Sequence, residues 1–479
     1  MKSRKRVRIL HTNDIHSHFE QMPRICTWVK RRQAEAEARG ETSILADVGD
    51  HMDRVRKETE GTGGLANYGV LEATGYRLIT LGNNELLTFS KEELNRLYRE
   101  SPFSVLATNV EELEGSRPEW IRPWTIVDTD ECRLGFLGVT IPFPEFYRLL
   151  GWHVKDPWDV LALEVPRLRK EVDVIVVLSH LGLPNDRRLA KEIPGIDVIL
   201  GGHTHHLLKE PERIGDTLVA AAGKFGQYAG EVVLDWDAET RRIKKMEAGV
   251  FAMAAEVPDR GLEEQIARSR YQAELYLKQP ISQLDQPLPI DWYHESPLGN
   301  FLADGLRAWV KADIALVNAG QLLDGLDAGP VSLGRLHEIC PHPINPCRIN
   351  LKGRQIRALL ETSLQPEVQQ MEIKGFGFRG KRLGMLNVAG MEVVYEPTGV
   401  AGQQVREVTI EGKVMEDEAV YSVASIDMFT FGIGYPEVQN GTDLRYFLPE
   451  FLRNVLAWHL GQPESVALAY RTRWRQWNG

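Results

Sequence analysis

Between residue 6 and about residue 235 the chain alternates short apolar runs with polar loops and stretches of helical spacing. VRIL, TSILADV, YRLITL, FSVLAT, LGFLGVT, VDVIVVLS, IDVIL and TLVAAA are mostly unbroken in hydrophobicity, as strands buried on both faces are. ICTWVKRRQAEAEARG, KEELNRLYRE and WDVLALEVPRLRKEV lie between them and read as helices. This alternation predicts a layered α/β domain. EVVLDWDAETRRIKKMEAGVF reads as a closing hairpin that turns at Ala238-Glu239. PDRGLEEQIARSRYQAELYLKQP reads as a connecting helix, with Leu262, Ile266, Tyr271 and Leu275 roughly on one face. From Ile281 the texture shifts toward Gly, Pro and mixed segments. The helix GNFLADGLRAWVKA is followed by the strands ALVNAG, EVVYEP, EVTIEG and YSVASI. The expected division is a first domain over 1–255, a connecting helix over 256–280 and a second, α+β domain over 281–479.

A length of 479 residues agrees with more than one domain. A net charge of −10 argues against a nucleic-acid or anionic-membrane partner, and no apolar run reaches membrane-spanning length. The basic start MKSRKRVRILHTND lacks the apolar stretch of a secretory leader. Cys26, Cys132, Cys340 and Cys347 are scattered and read as free thiols in a reducing compartment, so a cytoplasmic protein is expected.

Chemistry-bearing residues follow the apolar runs, at the strand ends where α/β sheets place ligand sites. They are Asp14-Ile15-His16, Gly49-Asp50-His51-Met52-Asp53-Arg54, Gly82-Asn83-Asn84-Glu85, His180, and Gly201-Gly202-His203-Thr204-His205. One Asp-x-His is an ordinary capped turn, and one buried His is an ordinary core residue. Five such motifs in order supply the carboxylate, imidazole and amide-oxygen mixture that divalent ions take. Two ions about 3.5–4 Å apart, sharing a carboxylate, bind phosphate oxygens and activate a bridging water. The expected cofactors are therefore two divalent metal ions.

These motifs resemble those of the calcineurin-like metallophosphoesterase superfamily. HTNDIHSHFE, GGHTHH and AGKFGQYAG are similar to its 5'-nucleotidase family, as are HESPLGNFLADGLRAW, ADIALVNAG and LKGRQIRALLE of the second half. The resemblance, closest to a bacterial cytoplasmic variant, covers nearly the whole chain. It implies a four-layer β-sandwich with flanking helices, joined by a helix to a C-terminal substrate-binding domain. It further implies one ion on Asp14, His16, Asp50 and His205, and a second on Asp50, Asn83, His180 and His203. Asp50 is the bridge, and manganese, zinc or a similar ion is the metal. The implied activity is hydrolysis of nucleotides or related small phosphorylated metabolites by a bridging hydroxide.

Two departures qualify that activity. Where the family has Gly-Asn-His-Glu and an Asp two residues on, this chain has Asn84 and Leu87. Asn donates a hydrogen bond but delivers no proton near neutral pH. Catalytic roles are therefore assigned to Asp50, to Asn84 and to His18, with His51 as a second nearby histidine. In the second domain Asn318 matches the family, whereas Leu323, His342 and Ile433 stand where a nucleotide-binding Arg, Phe and Asp are usual. Arg379, Phe429 and Phe431, together with Phe376 and Phe378, offer a rebuilt stacking site. Two rival readings follow: a nucleotide-binding protein with weak turnover, and a phosphodiesterase or pyrophosphohydrolase that prefers good leaving groups.

Overall fold

The computed structural model describes residues 5–375 and 377–477, so Phe376 lies outside the described residues. The chain divides into two compact units, Met1–Ala273 and Glu274–Gly479.

In the first unit the unbroken apolar runs become strands of two packed sheets. One sheet places Lys5–Thr12, Thr42–Asp47, Leu78–Thr80 and Ser104–Leu106 side by side in parallel. The other places Arg133–Thr140, Val174–His180, Val198–Gly201 and Thr217–Ala220 in parallel. The period of two along a strand explains why these runs are apolar throughout. Val174, Val176 and Leu178 face the inter-sheet core with Val7, Ile9, Ile44 and Leu106. Their neighbours Ile175 and Val177 face the opposite way, against Leu161, Val165 and Leu189 of the helices Pro157–Leu168 and Leu183–Glu192. The helix Met22–Glu37 buries Ile25, Trp28 and Val29 and contacts the first sheet at Thr42–Asp47. The order is helix, sheet, sheet, helix, the four layers expected. The closing hairpin pairs Tyr228–Asp237 with Arg242–Ala252.

The connecting helix is Arg260–Leu277. Its buried stripe is Leu262, Ile266, Ala273 and Leu277, while Tyr271 is 62% and Leu275 53% exposed. The expected face is thus corrected: at about 100° per residue Tyr271 and Leu275 fall on the far side from Leu262.

The second unit is α+β. A five-stranded sheet contains Ile314–Asn318, Pro346–Lys352 and Val420–Ile426, and a four-stranded sheet contains Met391–Tyr395 and Val405–Ile410. The helix Pro297–Val310 buries Leu298, Phe301, Leu302 and Leu306 in the core of this unit. All four cysteines are unpaired and buried. No helix among the described residues is long and apolar enough to cross a membrane.

Candidate metal centre

Because the central strands of both sheets run parallel, their carboxyl ends deliver the motif loops to one edge. The loops then lock to each other through their backbones. Asp14 N donates to Gly49 O (3.0 Å), His16 N to Asp50 O (2.9 Å) and Gly202 N to Ser179 O (2.9 Å). Asp14, His16, Asp50, His203 and His205 all have φ between 47° and 72°. Left-handed backbone at non-glycine residues costs energy and persists where the surroundings enforce it, commonly at functional sites. Gly82 permits the closest approach: a Cβ there would lie 2.1 Å from Asp50 Oδ1.

The side chains gather into two groups. Asp14, His16 and His205 bring one ligand atom each within 4.8 Å of one another, and so do Asp50, His180 and His203. The first group is tight, with His16 Nε2 3.1 Å from His205 Nε2 and His205 Nε2 3.5 Å from Asp14 Oδ1. Asp50 stands between the groups. Its Oδ2 is 3.7 Å from His16 Nε2, and its Oδ1 is 3.3 Å from His180 Nε2. The backbone N–H of His203 donates to the Asp14 carboxylate at 3.0 Å, tying the two groups together.

The donor set fits divalent ions on two further observations. His180 Nδ1 donates to Val48 O at 2.7 Å, which turns the buried Nε2 into the site, toward Asp50 Oδ1 at 3.3 Å. Asn83 Oδ1 is buried with no hydrogen-bond partner. Buried polar atoms are normally satisfied, so an orphaned amide oxygen among carboxylates and imidazoles marks a place for a cation.

The electrostatics of the protein alone agree. Burial opposes charge on His180, but the Asp50 carboxylate overrides it and lifts the imidazole to about 10. Burial also opposes charge on Asp50, yet His180 and His16 hold it below the usual carboxylate range. His203 and His205 are pushed down to about 4, first by burial and then by the neighbouring imidazoles, His180 for the former and His16 for the latter. Neutral imidazole is the ligating form.

Glu85 closes the Gly82–Glu85 motif, but the sequence assigns it no role of its own. It begins its helix as the acidic partner of a capping box, a pattern visible as Gly-x-x-Glu. Its buried carboxyl accepts from the N–H groups of Asp50 (3.1 Å), Met52 (2.8 Å) and Gly82 (2.9 Å), pinning two motif loops together. Burial and the nearby Asp50 charge push it up to about 7.

Asn84 is bonded to the loops around it. Its N–H donates to Asp50 Oδ1 at 2.8 Å. Its side-chain amide lies 3.0 Å from His16 Nδ1 and 3.3 Å from Met52 O. Asp53 Oδ2 is 3.3 Å from the same His16 nitrogen. His18 is bound to Glu20 at 2.6 Å and stacks on Phe225 with ring centroids 4.1 Å apart, outside both groups. His51 is buried beside Asn67 and Tyr76, and burial with the charge of His16 pushes it to about 3; it is a core residue.

The second-domain candidates do not assemble as expected. Phe429 is 1% exposed and packs edge-on against Tyr435, so it offers no face to a ligand. The amide of Asn318 is consumed internally, donating to Leu383 O (2.6 Å) and accepting from Gln321 (2.9 Å). Phe431 is 43% exposed and Arg379 is exposed, while Phe378 stacks on His342, centroids 5.2 Å apart. Packing demand in a dense core, invisible in a local motif, claimed Phe429 and Asn318.

Comparison with known proteins agrees with this geometry. A family model for calcineurin-like phosphoesterases matches residues 7–207, and one for the 5'-nucleotidase C-terminal domain matches residues 280–438. The chain is 37% identical over 461 residues to an uncharacterized metallophosphoesterase, YunD, of Bacillus subtilis (strain 168), covering 96% of this chain and 100% of that one. It is 24% identical over 464 residues to a snake venom 5'-nucleotidase of Naja atra, covering 83% of each. A crystal structure of a 5'-nucleotidase precursor from Thermus thermophilus superposes with a TM-score of 0.60 at 22% identity, covering 99% of this chain and 100% of that one. The clustered aspartates and histidines thus sit in a scaffold whose relatives share both halves, and the chain belongs to the calcineurin-like metallophosphoesterases of 5'-nucleotidase type, metal-dependent phosphoester hydrolases.

Proposed function

We propose that the protein hydrolyses nucleotides or closely related phosphorylated metabolites with a pair of divalent ions, manganese or zinc, held by the seven residues Asp14, His16, Asp50, Asn83, His180, His203 and His205. The observation that carries this reading is Asp50, whose two oxygens face His16 and His180 on opposite sides. When bound, such ions supply electrophilic charge for the phosphate oxygens and for an attacking water. The chain supplies the rest. Val48 O orients His180, Asp53 and Asn84 orient His16, and Glu85 fixes the loop that carries Asp50. The match to a 5'-nucleotidase C-terminal domain and the likeness to the Naja atra enzyme support a nucleotide substrate. The net charge of −10 favours a small-molecule partner over nucleic acid or a membrane. A cytoplasmic location belongs to the same proposal, supported by four unpaired, buried cysteines.

A second reading concerns the bond cleaved. The amide of Asn84 bonds to His16 and Met52, which supplies no proton for a leaving alkoxide. That arrangement favours substrates with good leaving groups, as a pyrophosphohydrolase or phosphodiesterase would use. The test is a panel of nucleoside mono-, di- and triphosphates, cyclic nucleotides and sugar nucleotides, each with manganese, zinc and magnesium, on wild type and Asp50→Asn. Turnover that depends on metal and falls at least about a hundredfold in Asp50→Asn is expected. Turnover unchanged by Asp50→Asn overturns the assignment.

A further inference from the structure

One cation beside the metal centre has no task in the arrangement described so far. Lys224 lies in the loop joining the strands Thr217–Ala220 and Tyr228–Asp237. That loop is clamped to the first motif on both sides of the lysine. Asn13 Nδ2 donates to Gly223 O at 2.6 Å, and Phe225 N donates to Asp14 O at 2.7 Å. Phe225 holds its place with a strained φ of 62°, and Gly223 and Gly226 on either side are left-handed too. The backbone of Lys224 is therefore held within a few bonds of Asp14 rather than hanging from a free loop.

Its side chain follows the same wall. The ammonium lies 4.6 Å from the centroid of the Phe225 ring. That ring stands edge-on to His16, centroids 5.8 Å apart, and 6.2 Å from His205. Among the described residues no carboxylate pairs with Lys224, and it is half-buried. Its ammonium is therefore left to an anion from outside the chain.

We propose that Lys224 is a substrate-binding residue that takes up a second phosphate next to the scissile one, so that the site prefers phosphoanhydrides such as nucleoside diphosphates to simple monoesters. This rests on the phosphoester-hydrolase reading above. The chemistry is consistent with Asn84. Water adds to the terminal phosphorus, and the bridging P–O bond breaks with its electron pair remaining on the oxygen of the departing phosphate. The proton lost from water passes to solvent. A departing phosphate needs no proton, only a neighbouring positive charge, and Lys224 is that charge.

The experiment uses the full-length, metal-loaded protein as wild type, Lys224→Met and Lys224→Arg. kcat/KM is measured for one nucleoside monophosphate and its diphosphate, alongside inhibition by inorganic phosphate and by pyrophosphate. Wild type is expected to favour the diphosphate and to bind pyrophosphate more tightly than phosphate. In Lys224→Met the diphosphate-to-monophosphate ratio of kcat/KM falls about tenfold or more, as expected for loss of one charge-assisted contact. Lys224→Arg restores most of it. An unchanged ratio in Lys224→Met overturns the inference. Should that variant fail to fold or to hold metal, the wild-type inhibition decides: equal inhibition by phosphate and pyrophosphate overturns it as well. A wild type that hydrolyses neither substrate with any divalent ion defeats the hydrolase reading itself, and active wild type without this preference defeats only the role of Lys224.

Discussion

The Nε2 atoms of His16 and His205 lie 3.1 Å apart, although 189 residues separate them in the chain. The rings meet in a T at 85°, beside Asp14 Oδ1. Two imidazole nitrogens aimed at one point are a poor arrangement for the bare protein and a good one for a shared cation.

That pairing depends on what holds His16 from behind. Asn84→Ala removes the amide at 3.0 Å from His16 Nδ1 and leaves Asp53 alone to orient the ring. Loss of such an outer contact weakens metal binding about tenfold. The expected outcome is one ion bound more weakly while the other is little changed, read by calorimetric titration. Wild-type affinity for both ions would show that Asn84 acts mainly through its N–H bond to Asp50, a bond alanine retains.

Metal binding should also be a proton exchange. Without metal, Asp50 keeps the proton on His180 up to about pH 10, and an ion entering between them must expel it. Apparent affinity therefore rises with pH across the neutral and mildly alkaline range, and titration in buffers of different ionisation enthalpy should reveal proton release. The raised His180 value also stabilises the metal-free fold. That contribution is complete below the unfolded value of 6.5 and is lost as pH rises toward 10. Melting temperature of the metal-free protein should fall over that interval, and a flat profile would contradict the pairing.

Glu85 holds three backbone N–H groups with one buried carboxyl. Glu85→Ala leaves those donors unsatisfied and opens a cavity, a loss of about 3 kcal/mol. Urea unfolding measures it, and metal binding should weaken with it because the Asp50 loop is released. A variant as stable as wild type would mean that the loops hold each other without the cap.

His459 offers a test remote from the metal centre. It packs on Phe301, centroids 4.5 Å apart, with both ring nitrogens buried and unpartnered, and burial pushes it to about 4. The fold keeps this ring neutral, whereas the unfolded chain protonates it below about 6.5, so its contribution turns against the fold as pH drops from 6.5 toward 4. His459→Leu should stabilise the protein at pH 7 and by about 2 kcal/mol more at pH 4.5, measured by urea unfolding at both. A gain of the same size at the two pH values would count against a buried neutral imidazole.

Much of this was legible in the linear chain. Unbroken apolar runs such as VDVIVVLS announced strands covered on both sides, because alternate residues of a strand face opposite ways and here both faces are packed. The five motifs announced a centre because parallel strands deliver their ends to one edge, whatever the loops between them do. The apolar stripe of the connecting helix misleads at two residues, since Tyr271 and Leu275 are apolar by composition but lie on the solvent side.

What the chain order could not decide was direction. Whether Asn84 faces substrate or His16, whether Phe429 is a platform or a core residue, and whether Lys224 meets a carboxylate are matters of a few ångströms between distant segments. Residue identity sets which bonds a side chain is able to make. Close packing sets which of them it does make, and that choice exists only once the loops have been brought together.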